Sequence, residues 1–447
     1  MTFRRWIRAI ASVATWLAFP LSFGAPALAV PSFAVQTGQP CGACHVGGLG
    51  PQLTPFGRTF KINGYTARAV GFNVPLAIFA ISSYVRTRKD QPEAPAPSFR
   101  TNDNVALDQV SLFLAGGFGH HLGAFVQTTY DGVSKSFSWD NIDLRAVTTA
   151  NIKGANVVLG LSLNNNPTVQ DGYNTLFAWG FPYTSSALAP SPSAGPLIGS
   201  LAQEAIGLTG YAWIDSQIYL EAGAYRSPSA GFLTHAGSDP LAPGKIKDFA
   251  PYGRVAYQKT SGPRNIELGA FAMHADLFPA RDESTGLSDH YTDVGFDGAY
   301  QYSTSRRDIF SLNARYTHER ADLAASRALG AAASATESLN DLRVDASYYW
   351  RNKIGGTVQA FDTWGGRDPL LYAANRTLKP DSSGLTFQVD GTPFGDGQSP
   401  FGARFNLRVG IQYTTYFRFD GARRNYNGLG RDASDNNTLR VFTWVYY

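Results

Sequence analysis

Apolar and polar residues alternate along most of the chain, from about residue 74 to the end, in segments of ~10 residues. Clusters of Gly, Asn, Asp, Ser and Pro separate these segments, which is the pattern of successive β-strands joined by turns. The last segment, NNTLRVFTWVYY, places Leu439, Val441, Thr443, Val445 and Tyr447 on one face. A closing strand with an apolar face and a terminal aromatic is typical of a barrel inserted in a lipid bilayer.

The links between the predicted strands alternate in length. Short links are predicted near residues 119–120, 153–154, 215–216, 261–262, 305–306 and 353–355, and long ones cover roughly 88–103, 164–203, 227–248, 279–289, 322–337, 365–383 and 420–436. Outer-membrane barrels have short periplasmic turns and long outer loops, and only the link near 392–402 is longer than this rule expects. We therefore predict an all-β fold, an outer-membrane antiparallel β-barrel of about 16 strands with an aqueous lumen. A soluble β-sandwich is the alternative, but it predicts neither the alternating links nor the terminal aromatic.

Residues 1–29 have the layout of a secretory signal peptide. Arg4, Arg5 and Arg8 precede an apolar stretch that is too short to span a membrane, and small residues end at Ala29, after which we predict cleavage. The net charge of +4 includes these three arginines, so the remaining chain is close to neutral. Because it has no clustered basic stripe, nucleic acid is not a predicted partner. Aromatic residues at 13%, with 46 glycines and 2 methionines, also favour β structure.

Residues 30–72 lack the alternating pattern and are predicted to form a small N-terminal domain ahead of the barrel, residues 73–447. About 40 residues bury too little apolar surface to fold unaided, so a disulfide, a metal or a cofactor is expected to stabilise them. This region holds the only two cysteines of the chain, in the stretch PCGACH.

Cys41, Cys44 and His45 match C-x-x-C-H, the attachment motif of a c-type haem. In such a site each thiol adds to one haem vinyl group to form a thioether, and the histidine is the proximal iron ligand. A thioredoxin-like redox pair requires a βαβ context and a zinc site requires two further ligands, and the surrounding sequence offers neither. We predict one covalently bound haem c per chain.

The stretch PQLTPFGRTFKINGY follows the motif, and its Thr-Pro pair is a typical helix start. Phe56 and Phe60 lie one helical turn apart, so both are candidates to pack on the porphyrin. Arg58 and Lys61 are candidate contacts for the haem propionates. The alternative is a surface helix whose basic residues face water.

The sixth ligand of the iron has several candidates. Met273 is the only methionine outside the first residue, and a methionine ligand would raise the reduction potential relative to a second histidine. A lipid-facing Met273 is the alternative. The site would otherwise be vacant, hold water or use a group of residues 30–72. The remaining candidates are His120, His121, His235, His290 and His318.

The stretches PSFAVQTGQPCGACH and LTPFGRTFKINGYT, followed by a barrel pattern and an aromatic terminus, resemble the fused monohaem cytochrome-porins of iron-oxidising bacteria. The match covers about residues 31–66, and Val35 stands where the family usually has arginine. The resemblance implies that a small α-helical monohaem cytochrome domain plugs the barrel. It further implies an iron:cytochrome c oxidoreductase, in which extracellular Fe(II) is the electron donor and a periplasmic c-type cytochrome or similar carrier is the acceptor. Such outer-sphere transfer needs no catalytic acid, base or nucleophile.

Two other functions remain open at this point. One is a diffusion porin whose haem domain acts as a sensor or gate, and the other is an electron conduit for a donor or acceptor other than iron. The loop PARDESTGLSDHY is predicted to lie outside the cell with Asp282, Glu283, Asp289 and His290. These groups would attract Fe(II) by their charge, or they are simply solvated.

Overall fold

The computed structural model describes residues 31–69, 71, 74–401 and 404–447, so the predicted signal peptide lies outside the described residues. Within these residues a single sheet of seventeen strands closes on itself, because the first strand pairs antiparallel with both the second and the last. One strand has only two residues. The wall of the described barrel therefore consists of sixteen long strands, which confirms the predicted size and class.

The strands are β1 (Leu76–Thr87), β2 (Asn104–Phe118), β3 (Leu122–Asp131), β4 (Ser136–Ile152), β5 (Ala155–Asn164), β6 (Ile206–Ile214), β7 (Ile218–Arg226), β8 (Lys245–Ile246), β9 (Ala250–Ser261), β10 (Arg264–Phe278), β11 (Asp289–Ser303), β12 (Ile309–Asp322), β13 (Thr336–Trp350), β14 (Ile354–Gly365), β15 (Ser382–Gly391), β16 (Asn406–Arg418) and β17 (Thr438–Tyr446). The helices are α1 (Pro31–Thr37), α2 (Cys41–Cys44), α3 (Pro55–Ile62), α4 (Leu197–Ser200), α5 (Ala230–Ala236) and α6 (Ala324–Ala328). None of the helices in the described ranges is long and apolar enough to cross a membrane.

Side chains alternate between the two faces of the wall, as the pleat of a strand requires. Large apolar residues such as Leu112, Leu161 and Phe296 are exposed on the outside, whereas Arg254 and Arg408 are buried on the inside. This distribution is the reverse of that in a soluble protein and matches a barrel with lipid outside and a polar lumen. The chain forms an outer-membrane β-barrel.

Link lengths follow the predicted alternation with two exceptions. The link 132–135 is short although it lies at the end of the barrel that carries the long links. Leu188 of the long link 165–205 packs on Val133 there, so a distant segment covers this edge. The link 392–405 is long at the opposite end, and the carbonyl oxygen of Gly395 accepts a hydrogen bond of 2.8 Å from the Gly42 N–H.

Residues 31–69, the N-terminal segment, lie against the inner face of the wall. Tyr65 donates a hydrogen bond of 2.6 Å to Asp143 on β4, and Gln36 accepts one of 2.8 Å from the Gly117 N–H on β2. Residues 165–205, the inner loop, fold onto the other side of the segment. There the Lys61 Nζ atom donates to the Val169 carbonyl oxygen at 2.7 Å. The segment is thus held between the wall and the inner loop.

Candidate functional site

A cavity of about 330 Å³ lies between the N-terminal segment, the wall and the inner loop. Its size falls within the range of small-molecule and cofactor pockets. Cys41, Cys44 and His45 all line it. Much of the remaining lining is aromatic, including Phe60, Phe79, Phe113, Trp179, Trp444 and Tyr446.

Helix α2 explains how the two thiols reach the same cavity. Residues three apart on a helix share one face, so Cys41 and Cys44 point the same way. Neither forms a disulfide. The helix ends at His45, whose backbone is extended with φ −119° and ψ 138°. Asn352, in a turn of the barrel, donates hydrogen bonds of 2.9 Å to the carbonyl oxygens of Gly42 and His45, and this fixes the motif to the wall.

Helix α3 packs directly on α2 because Gly57 has no side chain. A Cβ atom at this position would overlap the main-chain carbonyl of Cys44. Thr54 starts α3 as the N-cap, since its hydroxyl accepts a hydrogen bond from the Gly57 N–H at 3.3 Å. The same hydroxyl donates to the Ala43 carbonyl oxygen at 2.6 Å and so ties the two helices together.

Burial sets the charge state of the motif. It raises the pKa of the Cys44 thiol to about 12, and the neighbouring Cys41 adds to the shift. Burial lowers the pKa of His45 to about 4, with the Gly50 main chain acting in the opposite direction. The imidazole is therefore neutral at neutral pH, which is the form that binds metals. Its Nδ1 atom is buried and makes no hydrogen bond within normal geometry.

These residues fit a c-type haem. Two thiols on one helical face, a neutral imidazole next to them and aromatic walls are the groups that such a cofactor uses. A buried ring nitrogen without a partner is costly, and a ligand group that engages the Nδ1 atom itself would remove that cost. The cavity also contains Lys61, whose pKa burial lowers to about 7. A carboxylate group of a ligand next to its Nζ atom would favour the charged form.

The two phenylalanines of α3 differ in their surroundings. Phe60 is 6% exposed, lines the cavity and packs edge to face on Phe33 with a centroid distance of 5.0 Å. Phe56 is 47% exposed and does not line the cavity, so its predicted packing role is wrong. The rings of Phe33 and Tyr65 both pack on the ring of Phe60.

The two basic residues of α3 lie in different surroundings. Arg58 is 1% exposed and donates a hydrogen bond of 2.5 Å to Asn265 on β10, away from the cavity, so its predicted contact with a cofactor is wrong. Lys61 lines the cavity, with its Nζ atom 4.6 Å from the ring centroid of Trp179. The surface-helix alternative is also wrong because both side chains are buried.

Met273 lies on the inner face of β10 but not at the cavity. It packs in a cluster with Tyr252, Phe271 and Leu277, which contradicts both the predicted role as distal ligand and the lipid-facing alternative. Among the described residues that line the cavity, His45 is the only histidine. The histidines that lie elsewhere are His120, His121, His235, His274, His290 and His318.

The acidic loop after β10 is largely engaged in structural contacts. Asp289 is buried and accepts hydrogen bonds from the N–H groups of Ala325 and Ser326 at the start of α6. Glu283 accepts a hydrogen bond of 2.6 Å from Lys245. His290 instead turns towards Asp276 on β10.

We predict a large effect on stability for Phe60→Ala and a small one for Phe56→Ala. Phe60→Ala removes a buried aromatic side chain and should lower the free energy of unfolding of the N-terminal segment by about 3–5 kcal/mol. Phe56→Ala should change it by no more than about 0.5 kcal/mol, because that ring faces solvent. The measurement is a urea titration of both variants that follows protease cleavage within residues 31–69. Equal shifts would contradict the packing described here.

Several solved outer-membrane proteins are similar in fold. OmpT of Vibrio cholerae aligns with a TM-score of 0.44 and 7% identity over 85% of this chain and 99% of that chain. The channel DcaP of Acinetobacter baumannii aligns with a TM-score of 0.47 and 11% identity over 86% and 99%. OprB of Pseudomonas putida aligns with a TM-score of 0.45 and 11% identity over 83% and 92%. A scan against family models and a search of curated proteins gave no match.

Proposed function

We propose that the chain binds one haem c inside the barrel and carries electrons across the outer membrane. Cys41 and Cys44 would form the thioethers and His45 would be the proximal ligand. The observation that supports this proposal is that all three side chains line one aromatic cavity within the lumen. The bound haem would supply a one-electron centre part-way across an apolar belt that is ~25 Å tall.

The residues of the chain would hold the cofactor and exclude water from it. Asn352 and Gly395 keep the motif in place through their hydrogen bonds to α2. The aromatic lining supplies an apolar contact surface, to which Trp179 of the inner loop contributes. A propionate next to the Lys61 Nζ atom would accept a hydrogen bond from it and favour its charged form. The small cytochrome domain would in this way serve as a plug of the barrel.

Fe(II) is the donor that the resemblance to cytochrome-porins implies. Each Fe(II) would lose one electron by outer-sphere transfer and leave as Fe(III), and the electron would pass to a periplasmic c-type cytochrome or similar carrier. The chain would then act as an iron:cytochrome c oxidoreductase without an acid–base residue. The position of the N-terminal segment between the wall and the inner loop favours transfer of electrons over free passage of solutes.

A diffusion porin with a haem-bearing gate is the second candidate. The barrel has a porin-like fold, and a further cavity of about 1030 Å³ in the described structure is lined by polar residues such as Asp108, Arg343 and Arg440. This space would admit small hydrophilic solutes if the N-terminal segment moved aside. An electron conduit for another donor or acceptor would share the haem site and differ only in its reaction with iron.

Stopped-flow spectroscopy and liposome swelling separate these functions. We expect Fe(II) to reduce the haem of the purified protein, and we expect liposomes that contain the protein to swell little in sugars. Dithionite is the control reductant. A haem that dithionite reduces while excess Fe(II) does not would refute the iron assignment, and rapid swelling would favour the porin.

A further inference from the structure

Two histidines and one aspartate come together on the outside of the barrel. His274 and Asp276 lie on β10, and His290 lies on β11 directly opposite Asp276 in the antiparallel register. Their ligand atoms all lie within 4.8 Å of one another. The Asp276 Oδ1 atom is 2.5 Å from His290 Nδ1 and 3.2 Å from His274 Nε2.

Thr292 orients one of the two imidazoles. Its hydroxyl oxygen is 2.9 Å from His274 Nδ1, and Thr292 is the residue opposite His274 in the register. When Nδ1 donates this hydrogen bond, the lone pair of His274 is on Nε2, the atom that faces Asp276. Histidines that bind metals are commonly oriented by such a second hydrogen bond.

The group lies at the outer end of the wall. Outward residues of β10 run from Arg264, Ile266 and Leu268 near the short turn to His274 and Asp276 near the long link. The ten steps along the chain from Ile266 to Asp276 correspond to ~33 Å along the strand, or roughly 25 Å along the membrane normal at a tilt of ~40°. The group therefore stands at the outer edge of the apolar belt, where external ions have access to it.

The ligand set discriminates between metals. We propose that His274, Asp276 and His290 form an outer-rim binding site for a divalent first-row transition cation. Two imidazoles and one carboxylate leave coordination positions open and suit Fe(II), Co(II), Ni(II) or Zn(II), whereas Mg²⁺ and Ca²⁺ prefer oxygen ligands. Fe(II) as the natural occupant rests on the proposed function, but binding of a transition metal does not.

The carboxylate of Asp322 lies next to the group formed by His274, Asp276 and His290. Asp322 is opposite His290 in the register of β11 and β12, on the same outward face. It is 3.5 Å from Arg320 and therefore partly neutralised. It stands as a neighbour of the site rather than as one of its three ligands.

A Co(II) titration tests the site. The full chain is purified in detergent without a polyhistidine tag, and Co(II) binding is followed by isothermal titration calorimetry in excess Mg²⁺. We expect one Co(II) per chain and a loss of affinity of about 100-fold or more in the double variant His274→Ala/His290→Ala. Thr292→Val should weaken binding by about 10-fold, because it removes only the orienting hydrogen bond.

His318→Ala is the matched control. His318 is also an exposed outward histidine with a hydrogen bond to its neighbour, Asn340, but it lies outside the group. Its loss should leave Co(II) affinity unchanged. Wild-type affinity in the double variant, an equal loss in His318→Ala, or displacement of Co(II) by Mg²⁺ would overturn the proposal.

Two further measurements keep the outcome clear. Heat-modifiable migration on gels reports whether each variant has a folded barrel, and Asp276→Asn decides the matter if the double variant does not fold. Haem staining of the same samples reports on the proposed function separately. A chain that stains for haem but binds no Co(II) refutes only the metal site, and a chain that binds Co(II) without haem refutes only the cytochrome.

Discussion

Cys44→Ala is expected to lower the amount of covalently bound haem in the protein while leaving the barrel in the outer membrane. A single remaining thiol, Cys41, can form only one of the two thioethers that hold a c-type haem. The barrel wall does not depend on either sulfur, since neither forms a disulfide. The measurement is a haem-stained denaturing gel of outer-membrane fractions, with an immunoblot for the amount of protein.

Ala43→Ser provides the matched control on the same helical turn. It keeps both thiols, their spacing and His45, and residue 43 does not line the cavity. Staining should therefore be that of the wild type. A wild-type chain that does not stain, or equal staining after replacement of both cysteines, would end the haem proposal. Absence of the chain from the outer membrane would contradict the barrel itself.

The wall could be predicted because every strand contacts two different environments. Lipid on one side and a polar lumen on the other impose a two-residue period, and this period is visible in the sequence. The last strand is an example, with Val441 exposed outside and Phe442 buried inside as predicted. The short link 132–135 escaped prediction because Leu188, far away in sequence, covers it.

The placement of the two thiols on one face could be predicted because it depends only on local helix geometry. Three residues of helix bring Cys41 and Cys44 to one face whatever surrounds them. The roles of Arg58 and Lys61 depend instead on partners more than a hundred residues away, Asn265 for the first and Val169 for the second. Helical periodicity distinguishes the faces of α3, but it does not reveal which polar groups of the lumen each face will meet.

Met273 illustrates the same limit on a strand. The alternating pattern correctly separates Met273 from His274, which lie on opposite faces of β10. Position along the strand and around the barrel is a global property, and it brings Met273 to Tyr252 and Phe271 rather than to His45. The sequence alone does not reveal the site formed by His274, Asp276 and His290, because His290 joins the other two only through the register of β10 and β11.

Arg145→Met is expected to loosen the N-terminal segment strongly. The Arg145 guanidinium on β4 donates to the carbonyl oxygens of Lys61 and Gln170, and so joins the wall to both the segment and the inner loop. It also forms an ion pair of 2.8 Å with Asp143, and both side chains are fully buried. Methionine would leave the Asp143 carboxylate without its counter-charge, which costs about 3–5 kcal/mol.

The charge of Asp143 accounts for most of that expected loss. Its Oδ2 atom also accepts the hydrogen bond from Tyr65, so an unpaired carboxylate disturbs the segment directly. Arg145→Met/Asp143→Asn removes the uncompensated charge and should recover part of the stability, whereas Arg320→Met, at an exposed pair, should cost no more than about 1 kcal/mol. Trypsin cleavage at Arg58, Lys61 or Arg68 in increasing urea measures the opening of the segment in each variant. The Arg145 guanidinium joins the wall, the N-terminal segment and the inner loop, so its loss should release at least one of these contacts. If the segment opens no more easily in Arg145→Met than in Arg320→Met, the buried pair does not anchor the segment.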